Sequence, residues 1–341
     1  MTIAPPSASA RAAAAERLAA LATPAGALGR LGDLGVWLAA VQGQCPPSAP
    51  ERVHAVVFAG DHGIARHGVS AYPAAVTPAM VRTLLDGRAG VCALAAAHGV
   101  RVRVLDVSVD DDLVGVDPAV QRFKVRRGSG PIHLEDALST AETEAALAAG
   151  ATVAGEEIAA GADLLISGDM GIGNTTPAAA LVAAALGLPA SEVTGRGTGV
   201  DDATLRHKQA LVQQAVDRVG DRDPVGLLTG LGGADLAASV GFLLEAARRG
   251  VPVLLDGMIA TACATVAELH TPGAARWFAA GHRSTEPAQQ LALDKLGLEP
   301  LLDLGMRLGE GSGAVAAVPL LRSAAALLRD VALLSELDLE T

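Results

Sequence analysis

The sequence has 341 residues, of which 50% are hydrophobic and only 2% aromatic, and its formal net charge is −11. The length suits one large α/β domain, alone or with a small second unit. The acidic balance and the lack of a basic run disfavour nucleic acid and anionic membranes as partners.

The first predicted elements are two helices within residues 7–43, joined near Thr23–Gly26. From residue 51 onward, short apolar runs alternate with longer helical ones. The predicted strands are Val53–Ala59, Arg101–Val107, Leu164–Ser167, Val225–Thr229, Val251–Asp256 and Trp277–Ala280. The predicted helices are Thr77–Leu85, Gly90–Ala97, Glu135–Ala160, Pro177–Leu186, Asp201–Val219, Ala234–Arg248, Met258–Leu269 and Thr285–Lys295. This alternation predicts a mostly parallel sheet with helices on both faces, a three-layer Rossmann-like α/β domain.

Residues 313–336 predict one further helix, bent at Pro319. Neither end of the chain carries a strand pattern. We therefore expect residues 1–50 and 313–341 to pack together as a small helical lobe beside a main α/β domain of residues 51–312.

Cysteine spacing and the N-terminal residues predict the compartment. Cys45, Cys92 and Cys263 are far apart and form no CxxC pair, which disfavours a disulfide framework and a zinc site. Residues 1–20 lack the apolar core of a signal peptide, and no stretch approaches the ~18 unbroken apolar residues of a membrane span. A cytoplasmic protein is expected.

Glu310 lies between two glycines at the front of the predicted C-terminal helix. Glycines allow a backbone or a ligand to approach closely, and an adjacent apolar segment can desolvate the carboxylate and raise its pKa. A general base that works near neutral pH needs this setting. The alternative is an acid that only interacts with the helix dipole.

Four glycine-rich loops are further candidates, because ligands of open α/β sheets bind beyond the carboxyl ends of strands. In loop 60–65, Asp61 and His62 can bind a metal or relay a proton, although their spacing favours a simple turn. Loop 167–177 precedes an alanine-rich helix, and its amides suit a phosphate. It lacks the Walker lysine, and Thr176 replaces the third glycine of a dinucleotide motif. A tight turn capped by Thr176 is the alternative.

The other two loops add cations and hydroxyls. Loop 194–202, with Lys208 in the following helix, predicts a second anion cradle. The alternative is a loop that only caps the helix, with Lys208 in solvent. In loop 281–287, Ser284 can cap a helix or bind a phosphate oxygen. A lesser glycine-rich loop, residues 231–235, follows the predicted strand Val225–Thr229. Together the loops predict one crevice for a phosphorylated sugar ligand.

The loops and their order resemble the nicotinate-nucleotide–dimethylbenzimidazole phosphoribosyltransferase family, which makes the lower-ligand nucleotide of cobalamin. The resemblance runs from Phe58 to Ala314. The matching segments are FAGDHGIARHGVSAYP, ISGDMGIGNTTPAAAL, GRGTGVDD, LLTGLGGADLA, LLDGMIATACA, GHRSTEPA and MRLGEGSGA. The resemblance implies transfer of the 5-phosphoribosyl group of nicotinate mononucleotide to 5,6-dimethylbenzimidazole by a homodimer.

The resemblance also implies roles for individual residues. Glu310 would be the catalytic base, and Asp169 would lie near the ribose, where a carboxylate can stabilise an oxocarbenium-like transition state. The family frequently has glutamate there, and aspartate reaches about one methylene less. The implied phosphate and ribose contacts are Gly171, Gly173, Asn174, Thr175, Thr176, Gly197, Thr198, Lys208 and Ser284. The implied contacts to the acceptor base are Tyr72, Ala79, Met80, Met170 and Leu308.

The implied chemistry needs one base only. Nicotinate leaves as a neutral ring from a pyridinium, so no general acid is required, in contrast to the two carboxylates of a glycosidase. No cofactor and no metal are expected, and Asp61 and His62 are then structural or support neighbouring residues of the site. The alternatives are a transferase that uses phosphoribosyl pyrophosphate, weakly imitated by residues 200–204, and a non-catalytic module that binds nicotinate mononucleotide. The acceptor stays open among benzimidazole, adenine and phenolic bases.

Overall fold

The computed structural model describes residues 2–337. One six-stranded sheet has the order β2-β1-β3-β4-β5-β6, and each pair of neighbours is parallel. The strands are β1 Val53–Gly60, β2 Val100–Ser108, β3 Leu164–Met170, β4 Val253–Leu255, β5 Phe278–His282 and β6 Pro300–Leu302. All of β1 is buried, as expected for a central strand covered on both faces. The predicted α/β fold with a parallel sheet is confirmed.

Helices cover both faces of the sheet. They are α1 Ala8–Ala20, α2 Gly29–Gln42, α3 Val76–Leu85, α4 Gly90–His98, α5 Thr140–Ala159, α6 Thr175–Leu186, α7 Ala190–Val193, α8 Asp202–Val219, α9 Pro224–Leu231, α10 Ala234–Arg248, α11 Met258–His270, α12 Pro287–Leu296 and α13 Ser312–Asp330. One core contains residues of α5, α6 and α8 to α12, and the other contains residues of α3, α4 and α13. Small alanines let these helices pack closely on the strands.

The structure corrects the sequence prediction at several places. The predicted strand Val225–Thr229 lies within α9, whose start is capped by Asp223 and has proline at its first position. Loop 231–235 therefore joins two helices and does not follow a strand. The predicted helix Glu135–Ala160 begins only at Thr140, behind a capping box of Ser139 and Glu142. Loop 194–202 follows α7 instead of a strand, and the short strand β6 was not predicted.

The two ends of the chain contact each other. The Arg17 guanidinium donates hydrogen bonds to the carbonyl oxygens of Leu328 and Arg329, and Leu21 pairs with Leu333 in an isolated bridge. The C-terminal helix ends at Asp330 and not at residue 336. The division into two units stays a prediction, because α13 also packs on the sheet.

Helix α13 is long and apolar enough for a membrane span by length and composition alone. However, 56% of its most apolar stretch is buried inside the fold. Val315, Val318 and Leu321 belong to the core on one face of the sheet. The packing of α13 on the strands thus accounts for its apolar sequence.

Two glycines bring α5 and α10 into backbone contact. A Cβ on Gly150 would lie 1.8 Å from the Ala238 carbonyl oxygen, and one on Gly241 would lie 2.0 Å from that of Leu147. We expect Gly150→Ala to lower the free energy of unfolding by about 3 kcal/mol, measured by urea denaturation, because a helix backbone cannot yield as a side chain does.

Gly155→Ala is the matched control, since it lies on the same helix. The nearest atom to its Cβ would be the Arg249 Nη2 at 3.3 Å, at the end of a flexible side chain. We expect a neutral change or a gain of up to about 1 kcal/mol, because alanine favours the helix. Equal stabilities of the two variants would contradict the close packing of α5 on α10.

Candidate active site

A cleft of about 740 Å³ opens beyond the carboxyl ends of β3, β4 and β5. The chain passes from β1 to β2 and then to β3 on the other side of β1, so the cleft adjoins a switch point of the sheet. Nine predicted residues line it: Asp169, Gly171, Gly173, Asn174, Thr175, Gly197, Thr198, Ser284 and Leu308. Residues that sequence reasoning did not assign also line it, among them Asp256, His282, Glu286 and Arg307.

Glu310 is not among the residues that line the cleft, but it directly follows Leu308 and Gly309, which do. Its side chain is buried, with 3% of the residue exposed, and its Oε2 accepts a hydrogen bond of 3.0 Å from the Val91 N–H at the start of α4. Burial raises the pKa of Glu310 above its ordinary value; the Val91 N–H opposes this shift and the Asp256 carboxylate adds to it. The arrangement suits a carboxylate that accepts a proton.

The backbone of Glu310 is also unusual. Its φ is +64°, in the left-handed region that non-glycine residues rarely adopt. Its N–H donates a hydrogen bond of 3.2 Å to the Asp169 carbonyl oxygen. A Cβ on Gly168 would lie 2.4 Å from the Glu310 carbonyl oxygen, so only glycine lets strand β3 approach the loop this closely.

Asp256 positions that loop. It follows β4 directly and is fully buried. Its carboxylate accepts three hydrogen bonds at the start of α13, from the N–H groups of Gly311 at 3.1 Å, Gly313 at 2.7 Å and Ala314 at 3.0 Å. It thereby satisfies amides that a helix leaves unpaired at its first turn. An aspartate before a glycine at the end of a predicted strand was the available signal.

Asp169 faces the cleft from the end of β3. Its Oδ2 accepts a hydrogen bond of 2.6 Å from the Asn174 side-chain amide. Burial, with the charges of Asp256, Asp235 and Glu310, raises the pKa of Asp169 to about 8. The protonated form therefore predominates near neutral pH, and a cation in the cleft would favour the carboxylate.

Lys208 forms the centre of an anion cradle. It is fully buried, not solvated, and its Nζ donates to the Thr175 Oγ1 at 2.7 Å and to the Gly195 carbonyl oxygen at 3.2 Å. Burial lowers the pKa of Lys208 to about 8, and the nearby Glu286 carboxylate opposes this shift. A Cβ on Gly197 would meet Thr175 Oγ1 at 2.7 Å and Lys208 Nζ at 3.2 Å. The glycine thus leaves room for the contact between Lys208 and Thr175, which lines the cleft.

Hydroxyls and loops complete this end of the cleft. The Thr198 Oγ1 accepts a hydrogen bond of 2.9 Å from the Ala71 N–H, which joins loop 194–202 to loop 68–73. The Ser284 Oγ accepts a long hydrogen bond of 3.4 Å from the Glu286 N–H. The Thr176 side chain is buried at the start of α6 instead of facing the cleft.

The residues implied for the acceptor base are dispersed. Leu308 lines the cleft, and its side chain would lie 2.6 Å from a Cβ on Gly90, next to Glu310. Met80 and Met170 are partly buried against the core on the same face of the sheet. Tyr72 is 56% exposed and Ala79 is exposed, and neither lines the cleft. Their contacts to a base stay a prediction.

Asp61 and His62 form a buried charge network. The His62 Nε2 lies 3.1 Å from the Asp235 Oδ2, and the Asp61 Oδ2 accepts a hydrogen bond from the Asp110 N–H at 2.9 Å. Burial disfavours the imidazolium, but Asp235 and Asp61 raise the pKa of His62 above its ordinary value. Within residues 2–337 no group of three or more His, Cys, Asp and Glu is arranged to hold a metal ion.

Residues 200–204, which weakly resemble a phosphoribosyl pyrophosphate motif, have a structural role. The Asp201 carboxylate accepts a hydrogen bond of 2.8 Å from the Thr204 N–H and caps α8. Asp202 pairs with Arg196 at the surface. The paired acids thus start a helix and do not end a strand.

Known proteins have a similar sequence and the same fold. A family model described as phosphoribosyltransferase matches residues 3–337. The nicotinate-nucleotide–dimethylbenzimidazole phosphoribosyltransferase of Mycobacterium avium strain 104 is 56% identical over 333 residues, 97% of this chain and 95% of that one. The protein of the same name from Mycobacterium tuberculosis is 54% identical over 341 residues, 98% and 93% of the two chains.

A solved structure agrees. The crystal structure of CobT from Thermus thermophilus has a TM-score of 0.93 and 44% identity, and the match covers 96% of this chain and 98% of that one. Sequence identity above one half extends over nearly the whole length, and the fold is shared with a solved member. The chain therefore belongs to the nicotinate-nucleotide–dimethylbenzimidazole phosphoribosyltransferase family.

Proposed function

We propose that this enzyme transfers the 5-phosphoribosyl group of nicotinate mononucleotide to 5,6-dimethylbenzimidazole or a related base. The products are α-ribazole 5′-phosphate and nicotinate, for the nucleotide loop of cobalamin. The observation that carries the proposal is a buried carboxylate of raised pKa, Glu310, beside a cleft that also holds a buried anion cradle around Lys208. The proton of the acceptor base and the phosphate of the donor thus each have a matching partner.

The reaction balances with one base. A benzimidazole ring nitrogen attacks C1′ of the ribose while the bond from C1′ to the pyridinium nitrogen breaks. The electron pair of that bond returns to the nicotinate nitrogen, which departs uncharged, while the carboxylate of nicotinate keeps its charge. The proton of the benzimidazole N–H passes to Glu310, whose raised pKa favours proton acceptance.

Asp169 responds to the charge of the substrate in this scheme. Its carboxyl is largely protonated near neutral pH, since its pKa is about 8. The pyridinium cation and the positive charge that develops at C1′ both favour its ionisation. The carboxylate formed in this way would stabilise the transition state electrostatically.

The phosphate would lie in the cradle of Lys208, Thr175 and Gly197. Lys208 remains mostly charged near neutral pH with a pKa of about 8. The start of α6 has no side-chain cap, and the positive end of its helix dipole favours an anion. Burial strengthens these interactions because water competes less.

The acceptor is the finer part of the proposal. Leu308, an apolar side chain in the cleft wall, supports an apolar bicyclic base. In a mixture of equal amounts of 5,6-dimethylbenzimidazole, adenine and p-cresol, we expect the benzimidazole product to exceed each other product by at least about tenfold. Chromatography of the products measures this ratio.

Reactions with each base alone serve as the control. Product from p-cresol or adenine in excess of α-ribazole 5′-phosphate would refute the benzimidazole preference while leaving the phosphoribosyl transfer intact. We also propose a cytoplasmic homodimer without nucleic acid or membrane partners. The net charge of −11 and the three free cysteines support the location and the lack of anionic partners.

A further inference from the structure

Glu286 holds an unusual place in the cleft wall. It lies between β5 and α12, and only 6% of the residue is exposed. Its Oε1 accepts a hydrogen bond of 2.7 Å from the Gly197 N–H. No donor within residues 2–337 reaches its buried Oε2. A buried carboxylate oxygen without a donor is costly, so this atom calls for a partner from outside the protein.

The surroundings make the carboxylate more unusual. Gly197 also borders Thr175 and Lys208, the groups that would bind the 5′-phosphate. A phosphate dianion has only acceptor oxygens, and its approach to Glu286 would set acceptor against acceptor. A ligand with a hydroxyl hydrogen would instead supply the missing donor. The ribose hydroxyls are a less fitting source, because Glu286 lies at the Lys208 end of the cleft and not at the Glu310 end.

Resting on the proposed function above, we propose that Glu286 is a specificity residue for the protonated, monoanionic form of the substrate's 5′-phosphate. The P–O–H group donates a hydrogen bond to Oε2, while Lys208 and the backbone amides bind the remaining oxygens. No covalent bond changes in this step. The complex holds one proton more than the free enzyme and a free phosphate dianion, and that proton comes from the solvent.

The free energy needed to protonate the phosphate near pH 7 is modest. A phosphomonoester has a second pKa of about 6, so about a tenth of it is protonated near pH 7. A hydrogen bond between a P–O–H group and a buried carboxylate is short and strong, which offsets the need to protonate the dianion. The same arrangement disfavours oxyanions that carry no proton near neutral pH, such as sulfate.

Other charged groups face this part of the cleft. Those that line it are Arg307 from the loop before α13, Asp169 from β3, Asp256 after β4 and His282 at the end of β5. Lys208 from α8 is buried beside Thr175, which also lines it. The pKa values of Lys208 and Asp169 are both about 8. Most of the proton exchange that these two groups add to ligand binding therefore occurs above neutral pH. A probe without a pyridinium avoids the response of Asp169. Ribose 5-phosphate near pH 7 is therefore the suitable ligand.

The first experiment is calorimetric titration of the full chain with ribose 5-phosphate, in two buffers of different ionisation enthalpy. We expect the wild type to take up close to one proton per ligand bound at about pH 7. We also expect inorganic phosphate to compete on the order of tenfold more strongly than sulfate. Glu286→Gln tests the role, because its amide oxygen can still accept from Gly197 while its NH₂ donates to a dianion. This variant should take up almost no proton and lose the preference for phosphate.

Three results would overturn the proposal. They are the absence of proton uptake by the wild type, equal binding of phosphate and sulfate, and unchanged uptake by Glu286→Gln. If the variant fails to fold, the proton uptake of the wild type and its preference for phosphate over sulfate are enough to test the proposal. Absence of product from nicotinate mononucleotide with every base, together with proton-linked binding of ribose 5-phosphate, would refute the proposed function and leave the role of Glu286 intact. Turnover without proton uptake would refute only the role proposed for Glu286 and would leave the proposed function intact.

Discussion

Replacing Glu310 with glutamine is expected to lower kcat by more than about 100-fold, with little change in the binding of nicotinate mononucleotide. Glutamine is nearly isosteric, and its amide oxygen can still accept the hydrogen bond from Val91. The loop should therefore keep its shape while the proton acceptor is lost. Steady-state kinetics of product formation measure kcat, and calorimetry measures the binding.

A pH profile separates proton transfer from positioning. The pKa of Glu310 is raised, so the wild-type kcat should fall on the acidic side at a pH above the ordinary range of a glutamate. The variant should lack this dependence. Glu144→Gln, at an exposed position of α5, is the matched control and should leave kcat unchanged. A Glu310→Gln enzyme with near wild-type turnover would rule out the base role.

Replacing Asp256 with alanine is expected to give the largest loss of stability among single side-chain removals in the site. Three buried N–H groups at the start of α13 lose their acceptor. Each such group costs about 1–3 kcal/mol, so the free energy of unfolding should fall by about 3–5 kcal/mol, since partial access of water lessens the sum. Urea denaturation measures the loss, and kcat should fall as well because the Glu310 loop loses its anchor.

Asp201→Ala is the control for an ordinary helix cap. Asp201 is exposed and accepts one hydrogen bond from the Thr204 N–H at the start of α8. Its removal should cost about 1 kcal/mol. A loss at Asp256 no greater than the loss at Asp201 would show that the carboxylate does not hold α13 as described.

The sequence patterns predicted most strands and helices because β1 and β3 are buried and largely apolar, whereas the first half of β2 alternates valine with arginine. The failures have physical causes. The apolar residues of α9 are buried on all sides, so their pattern lacks the helical period, and only Asp223 and Pro224 mark the start of a helix. Strand β6 has three residues and is too short to form a pattern.

Local sequence patterns also predicted only part of the candidate site. Glycine-rich loops and Glu310 are local signals and were found, whereas the roles of Asp256 and Glu286 depend on backbone groups far along the chain. The burial of Lys208 was also not predictable, because α8 has a polar sequence and the ammonium is held by Thr175 and Gly195, which lie far from it along the chain. Pairings between distant segments are fixed by the fold and not by local sequence.

The link between Asp256 and α13 has a consequence for how the enzyme becomes active during its synthesis. Asp256 and the residues that line the cleft leave the ribosome before α13 does. Glu310 itself precedes the helix, yet three of the hydrogen bonds that set its loop come from Gly311, Gly313 and Ala314. A nascent chain that stops before α13 thus contains all the reactive side chains but cannot place the base. We therefore expect that α13 must dock before Glu310 can act as the base.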